Sequence, residues 1–495
     1  MRNRMRYMPL AVALLLGAGC DSLFDLDINT DPDAATEVPG DLLLTNTLVS
    51  IGSTRAIEIQ PGHAEFVNIM TANGSASVFI NPERYDISSF TNGNTWSTWF
   101  LDGLKHMTLM RQQALASDPE RSNVAAQAEI VMAYLFLTGS LIWERIPFTQ
   151  ALDGAQFPTP EFDDQETVLR GVVDMLDTAV GRIDEDGLEG VGFGDLVYEG
   201  DMELWRRLGN SLKLRTLMLI RNKDASVDAQ ISAVLAQPLI RTNAQEAAIP
   251  FFATAGNENP VWKLNNLFGG FTNAGNGNGF IFAGKVAVDL MKDLGDPRLD
   301  TYFEHAVVDF DISPDGGGPA TTEHFGQRAG VSNYDDAMTS MISQNIIRRD
   351  WPNRMVTAAE VWLFEAEFHA LQGNLAAAHS SYITGVQVGL DYFDGKPGSI
   401  SSAAKQAYIN SLPGSFSGQE PALEAIWAQQ YVEVFDRAPE NWTHWRRTKF
   451  PTLPLAEQAV LGDIIRRFAI PTDEVSANPN APTGIPLDQP MWFEK

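Results

Sequence analysis

The lone cysteine, Cys20, is the feature that most constrains what this 495-residue chain can become. With no second thiol, a disulfide framework is excluded, and so is a thiolate metal site, so a large body must be held by its core alone. The position of Cys20 gives the thiol another use. It follows a basic start (Arg2, Arg4, Arg6), an apolar run from Met8 to Leu16, and the small residues Gly17, Ala18 and Gly19. That layout reads as a secretory signal peptide, too short to remain in a bilayer as a spanning helix. Cleavage before Cys20 leaves it N-terminal and ready to carry lipid. Gly17 stands where a lipobox usually has Leu, with Leu16 one place further back. The expected organisation is a signal peptide over 1–19, a lipidated tether over 20–40 and one domain over 41–495.

No stretch after the leader reads as 18 or more apolar residues in a row, which makes the lipid the expected sole membrane anchor. The composition supplies a core: 44 % hydrophobic residues, with 11 Trp, 27 Phe and 10 Tyr. The formal charge is −28, and −31 once the three leader arginines are gone. That balance argues against nucleic acid and anionic lipid surfaces as partners, since both require a basic face. Solubility alone accounts for the acidity.

The body reads as helical. Val124, Ala128, Val131 and Leu135 recur at spacings of four, three and four, which predicts one buried stripe. Trp205, Leu208, Leu212 and Leu219 repeat the pattern, and Val361, Phe364, Phe368 and Leu371 close at Gly373-Asn374, a helix stop. A second helix over 375–388 follows, whose Ala376, Ala377 and Ala378 permit close packing. This helix–turn–helix unit has the size of a tetratricopeptide hairpin, though no strict 34-residue repeat is found. Residues 165–182 and 227–237 read as further helices. Period-two alternation is scarce, so no large sheet is expected. Residues 257–282 and 309–332, rich in Gly, Asn, Pro and aromatics, read as long loops inserted in a helical frame.

Six segments in order resemble the SusD/RagB family of outer-membrane lipoproteins, particularly its divergent SusD-like branch. They are the tether Asp27-Ile28-Asn29-Thr30-Asp31-Pro32, the helix 205–215 ending Asn210-Ser211-Leu212-Lys213-Leu214-Arg215, and the turn Asp296-Pro297-Arg298-Leu299. The helix 357–367, the stretch 442–453 with Arg446-Arg447-Thr448 and Pro451, and 466–474 followed by Asn478 complete the set. The resemblance implies an all-α fold of tetratricopeptide-like hairpins whose long loop insertions form a ligand surface. It implies binding of oligosaccharide without catalysis, at the cell surface, beside a SusC-like TonB-dependent outer-membrane transporter. A peptide cargo, as on the RagB side of the family, is one alternative and a glycoside hydrolase another. Arg215, Arg298, Arg446 and Arg466 lie in the matched motifs and read as ties between helix ends and turns.

Sugars are gripped by aromatic faces and by amide or acid groups that bond hydroxyls. Two clusters carry that chemistry: 90–100, with Asn94 and Trp96, and 259–280, with Trp262, Asn265, Phe271 and Asn273. Thr95 is a candidate N-cap placing Trp96 at a loop–helix junction, where core and ligand roles are both open; Trp99, one turn on, reads as core. Tyr334 and Trp351 flank the third irregular region. Asp311, Ser313, Asp315 and Gly316 give a partial calcium spacing with Glu323 one residue late, and Asp25, Asp27 and Asn29 begin a loop that lacks the required Gly. No metal and no cofactor is expected. There is no HExxH and no Gly-x-Ser-x-Gly elbow, and Glu365 and Glu367, two apart on a helix, face apart.

Overall fold

The computed structural model describes residues 38–72, 81–267, 281–306, 321–331 and 339–495. The leader, Cys20 and the 20–37 part of the tether lie outside these residues, as do Phe271, Asn273, Tyr334, Asp311 and Asp315. The folded unit is Gly40–Lys495.

Capped apolar runs make most of this unit helical. α1 (Gly40–Thr54) passes through a π-helical turn, Arg55–Ile59, into α2 (Gln60–Phe66). Strand β1 (Met70–Ala72) follows. α3 (Ser89–Ser97) likewise runs through a π-helical stretch, Thr98–Lys105, into α4 (His106–Ala116). Next come α5 (Ser122–Trp143), α6 (Gln165–Arg182), α7 (Met202–Arg221), α8 (Asp228–Leu235), β2 (Ala247–Ile249), α9 (Pro260–Leu267) and β3 (Ile281–Ala283). The order continues with α10 (Lys285–Leu294), α11 (Leu299–Tyr302), β4 (Asn353–Val356), α12 (Ala358–Leu371) and α13 (Leu375–Asp391). It closes with α14 (Ser402–Ser411), α15 (Gln419–Glu433), α16 (Glu440–Thr448) and α17 (Thr472–Ala477). Asp164, Asp201, Thr357 and Asn374 each accept a bond from a backbone N–H in the first turn of the helix they open. Among the described residues the strands form two short antiparallel ladders, β1–β3 and β2–β4.

Helices α5, α6 and α7 pack in sequence, and α12 packs on both α13 and α15, giving the expected all-α, tetratricopeptide-like hairpins. The turn between α12 and α13 falls at Gly373 (φ +75°), whose N–H bonds Ala370 O at 3.0 Å. The close approach of the two helices does not rest on Ala376 and Ala377, which sit on the outer side of α13. It rests on Ala378 and on Gly385, where a Cβ would lie 3.0 Å from Leu363 Cγ.

Four local expectations are corrected. α5 has no single buried stripe: every residue from Asn123 to Trp143 is buried, because neighbouring helices surround it. It is also long and apolar enough to cross a membrane, contrary to the sequence reading, yet its whole apolar window is inside the fold, as in the core helix of a globular protein. Thr95 is not an N-cap. α3 starts seven residues earlier, where the Ser88 side chain accepts from Thr91 N at 3.0 Å. The stretch 257–282 is not wholly irregular, since α9 and β3 lie within it.

At the centre, charge replaces grease. Glu360 on α12 takes both arms of Arg215 from α7 at 2.7 Å and Arg437 at 2.5 Å. Glu440 on α16 bridges Arg215 at 3.1 Å and Arg55 at 2.7 Å. Arg354 of β4 reaches Asp436 at 2.8 Å, with Glu433 at 3.6 Å and Glu246 at 3.8 Å. All of these side chains are buried. Burial raises the Glu360 pKa, but Arg215 and Arg437 more than offset this and hold it near 2. Burial pushes Glu246 up to about 7, Glu433 adding to the rise and Arg354 opposing it. The other motif arginines are also structural: Arg298 grips Asp296, and Arg446 caps Leu141 O at 2.7 Å.

Replacing Arg215 with Met leaves Glu360 short of its main partner, and urea unfolding should show a loss of about 3–5 kcal/mol. Glu246 gives a pH signature. Below pH 4.5 its carboxyl is protonated in both states; between 4.5 and 7 the unfolded chain ionises first, so the folded state holds more protons and stability falls as pH rises. The melting-temperature difference between wild type and Glu246→Gln should therefore shift in favour of the variant across that window and be flat on either side.

Candidate functional site

A cleft of about 540 Å³ opens beside the π-helical turn after α1. A π turn carries one more residue than an α turn, and such bulges recur at functional sites. Here it lets Arg55 face inward to the charge network while Ile57 and Glu58 face the cleft. Gly62 and Glu65 of α2 continue this wall, Asn81, Pro82, Asp86, Ile87, Ser88, Phe90 and Thr91 form the opposite one, and Leu264 of α9 and Phe468 complete it. The volume falls in the range of small-ligand sites. Phe90 is 73 % exposed, an aromatic face presented to solvent at the start of α3. A void of about 40 Å³ bordered by Arg215, Glu360, Glu440 and Arg447 has room for water but not for a sugar.

Among the described residues the lining has three carboxyl groups, Glu58, Glu65 and Asp86, and no Lys or Arg. Glu65 is buried, and neither of its carboxylate oxygens has a hydrogen-bond partner among the described residues. Burial, reinforced by nearby Glu83, pushes its pKa well up and so favours the protonated form, which can donate.

The residues singled out from the sequence divide by position. Asn94 is half-buried and donates to Glu58 Oε1 at 3.2 Å, so it orients a cleft wall. Trp262 is half-buried on α9, two residues from Leu264 and so turned to a different side of the helix, with the Arg349 guanidinium 4.5 Å over its ring. Asn265 lies on the same helix, and its side chain is outside the described residues. Trp96 and Trp351 are core residues in this structure. Trp96 packs on Phe100, Trp143 and Phe162, and Trp351 donates to Asp436 Oδ2 at 2.7 Å while stacking on Phe393. Trp99 is fully buried, its indole N–H on Thr138 Oγ1 at 2.9 Å. Glu367 is spent on Arg447 and Gln430, whereas Glu365 faces Arg241 and His369, so the two do point apart. Phe90, Glu58 and Glu65 were not singled out. The available signal was Phe90 itself, a large apolar residue directly after a Ser-capped start, where solvent exposure is expected.

A family described as starch-binding and associating with the outer membrane, SusD-like, matches residues 32–471. The chain belongs to this family. Solved structures agree on the fold. A Bacteroidetes SusD-like protein superposes with TM-score 0.78 at 18 % identity, covering 92 % of this chain and 100 % of its own. A SusD homologue from Bacteroides fragilis gives 0.71 at 20 %, covering 93 % and 100 %. A chitin-binding protein gives 0.73 at 22 %, covering 89 % and 94 %. No curated protein matches at a significant level. SusD-like proteins bind carbohydrate at the outer membrane and are binding proteins rather than enzymes.

Core and rim roles separate by mutation. Trp96→Ala and Trp351→Ala should each cost about 3–5 kcal/mol in chemical unfolding, whereas Phe90→Ala should stay within about 0.5 kcal/mol.

Proposed function

We propose that this SusD-like protein is an outer-membrane lipoprotein, anchored through Cys20 at the cell surface, that captures oligosaccharide in the cleft beside Phe90. It then passes the glycan to a SusC-like TonB-dependent transporter. The observation that carries this reading is the exposed Phe90 face set at the rim of a 540 Å³ cleft whose other walls offer Asn, Ser, Thr and carboxyl groups. An aromatic platform covers the apolar C–H face of a pyranose, and the polar groups take its hydroxyls. Trp262 and Asn265 on α9, with Phe271 and Asn273 of the adjoining sequence and Tyr334 from further along the chain, are proposed to extend the surface. The family's starch-binding description and the chitin-binding fold neighbour favour glycan over peptide cargo.

The acidic lining adds a sign. Glu58 and Asp86, with no Lys or Arg beside them among the described lining residues, repel uronate or sulfated chains, so neutral glycans are the expected cargo. Hand-off favours moderate affinity, in the micromolar to millimolar range, roughly −8 to −4 kcal/mol. Tighter binding would slow release.

The test is titration calorimetry of the full-length protein in detergent against malto- and chito-oligosaccharides, with oligogalacturonate as the anionic counterpart. Neutral oligomers should bind saturably, Phe90→Ala should weaken them about tenfold, a change of about 1.4 kcal/mol, and oligogalacturonate should give no heat. Preference for the uronate, or indifference to Phe90→Ala, refutes the assignment of the cleft. Recovery of a TonB-dependent barrel with the tagged protein from solubilised outer membrane tests the hand-off, and its absence refutes the partnership.

A further inference from the structure

Away from the cleft, Asp300, His305 and His324 bring one carboxylate oxygen and two imidazole nitrogens within 4.8 Å of one another. The backbone explains why they meet. Arg298, locked to Asp296 at 2.9 Å and to Gln429 at 2.6 Å, fixes the start of α11, which carries Asp300. Tyr302 and Phe303 then anchor on Phe435 at ring separations of 4.1 and 5.3 Å. The chain next pairs with a returning segment: Ala306 N–H bonds Glu323 O, and Thr321 N–H bonds Ala306 O, each at 2.8 Å. That pairing sets the rings of His305 and His324 4.8 Å apart, across from each other.

We propose that these three side chains form a binding site for a zinc-class divalent ion, which clips the segment after α11 to the segment around His324. Zinc with ligands at about 2.0–2.1 Å places neighbouring donor atoms roughly 3.3 Å apart in a tetrahedron. Asp300 Oδ1 lies 3.5 Å from His324 Nε2 and 3.8 Å from His305 Nε2. Both separations are already near that edge, and both are too long for a good hydrogen bond. The remaining closure falls to Asp300 and His305, whose side chains are 77 % and 48 % exposed and free to rotate. His324 is the fixed ligand: it is buried, and its Nε2, which in the metal-free chain donates to Phe303 O at 3.3 Å, gives up that bond and carries the ring proton on Nδ1 when it coordinates the ion.

The donor set selects the ion. Two imidazoles and one carboxylate suit zinc and its later first-row neighbours, whereas calcium and magnesium require six or more oxygens. Burial lowers the His324 pKa and more than offsets the raising effect of Asp300, so at neutral pH the ring is uncharged, the form that binds metal. Lys292 is the cation in the vicinity; it lies 4.8 Å over the Phe325 ring and 3.8 Å from Glu323 Oε2.

The experiment uses full-length protein bearing no histidine tag, stripped with chelator and titrated calorimetrically with zinc chloride, then separately with calcium chloride. One zinc per chain is expected, with a saturable rise in melting temperature and no comparable calcium heat. Asp300→Asn and His305→Gln change exposed side chains, so they keep the fold and should each weaken zinc at least tenfold. Absence of stoichiometric zinc binding, wild-type zinc affinity in both variants, or a preference for calcium each overturns the proposal. Glycan binding at the Phe90 cleft does not enter the result.

Discussion

The buried ion network around Glu360 is the constraint on which the architecture depends. Arg55, Arg215, Arg354 and Arg437 meet Glu360, Glu433, Asp436 and Glu440, four cations against four anions, on elements far apart in sequence. Desolvating so many charges is costly, and only near-complete pairing recovers the cost. Glu246, the ninth group, fits by titrating near neutrality instead of adding a fifth full negative charge. The network therefore does what an apolar core does poorly. It fixes which face of α7 meets α12, and where α16 enters, because each guanidinium fork accepts its carboxylate in few geometries.

Much of this was legible in the sequence. The bounds of α6 follow from the Asp164 cap and the apolar period, and the α12–α13 turn follows from Gly373-Asn374. The arginines of the family motifs were read as ties, and they are. What periodicity could not give was depth. In α5 the polar Gln127, Thr138 and Ser140 are buried along with the apolar residues, since each finds a partner inside, so a stripe argument understates how surrounded the helix is. Three-residue strands such as β2 are too short to show alternation.

The ligand residues were harder for a related reason. Indole is both the best sugar platform and among the largest core fillers, and its N–H is readily satisfied within a protein. Trp96, Trp99 and Trp351 took the second role, and the exposed ring is the smaller Phe90, two residues after the Ser88 cap. Sequence pointed to the start of α3 and to α9, both of which border the proposed cleft, without ranking their members. The wall supplied by Ile57 and Glu58 was invisible because a π turn leaves no pattern in the apolar spacing.

The depth of α5 has a bearing on biogenesis. If the proposed leader exports the chain, it is handled as an extended polymer before its helices have neighbours, and Ser122–Trp143, which holds an 18-residue window of mean hydropathy 1.5, would then be judged on its own. An acid inside such a span penalises lateral partition into lipid, by up to a few kcal/mol at its centre. Glu129, the eighth of the 22 residues, would supply part of that penalty during passage, and in the fold the same carboxylate is pinned by Arg111 and Arg182. One residue would thus discourage this apolar helix from lodging in a bilayer and then serve as a tie in the finished protein.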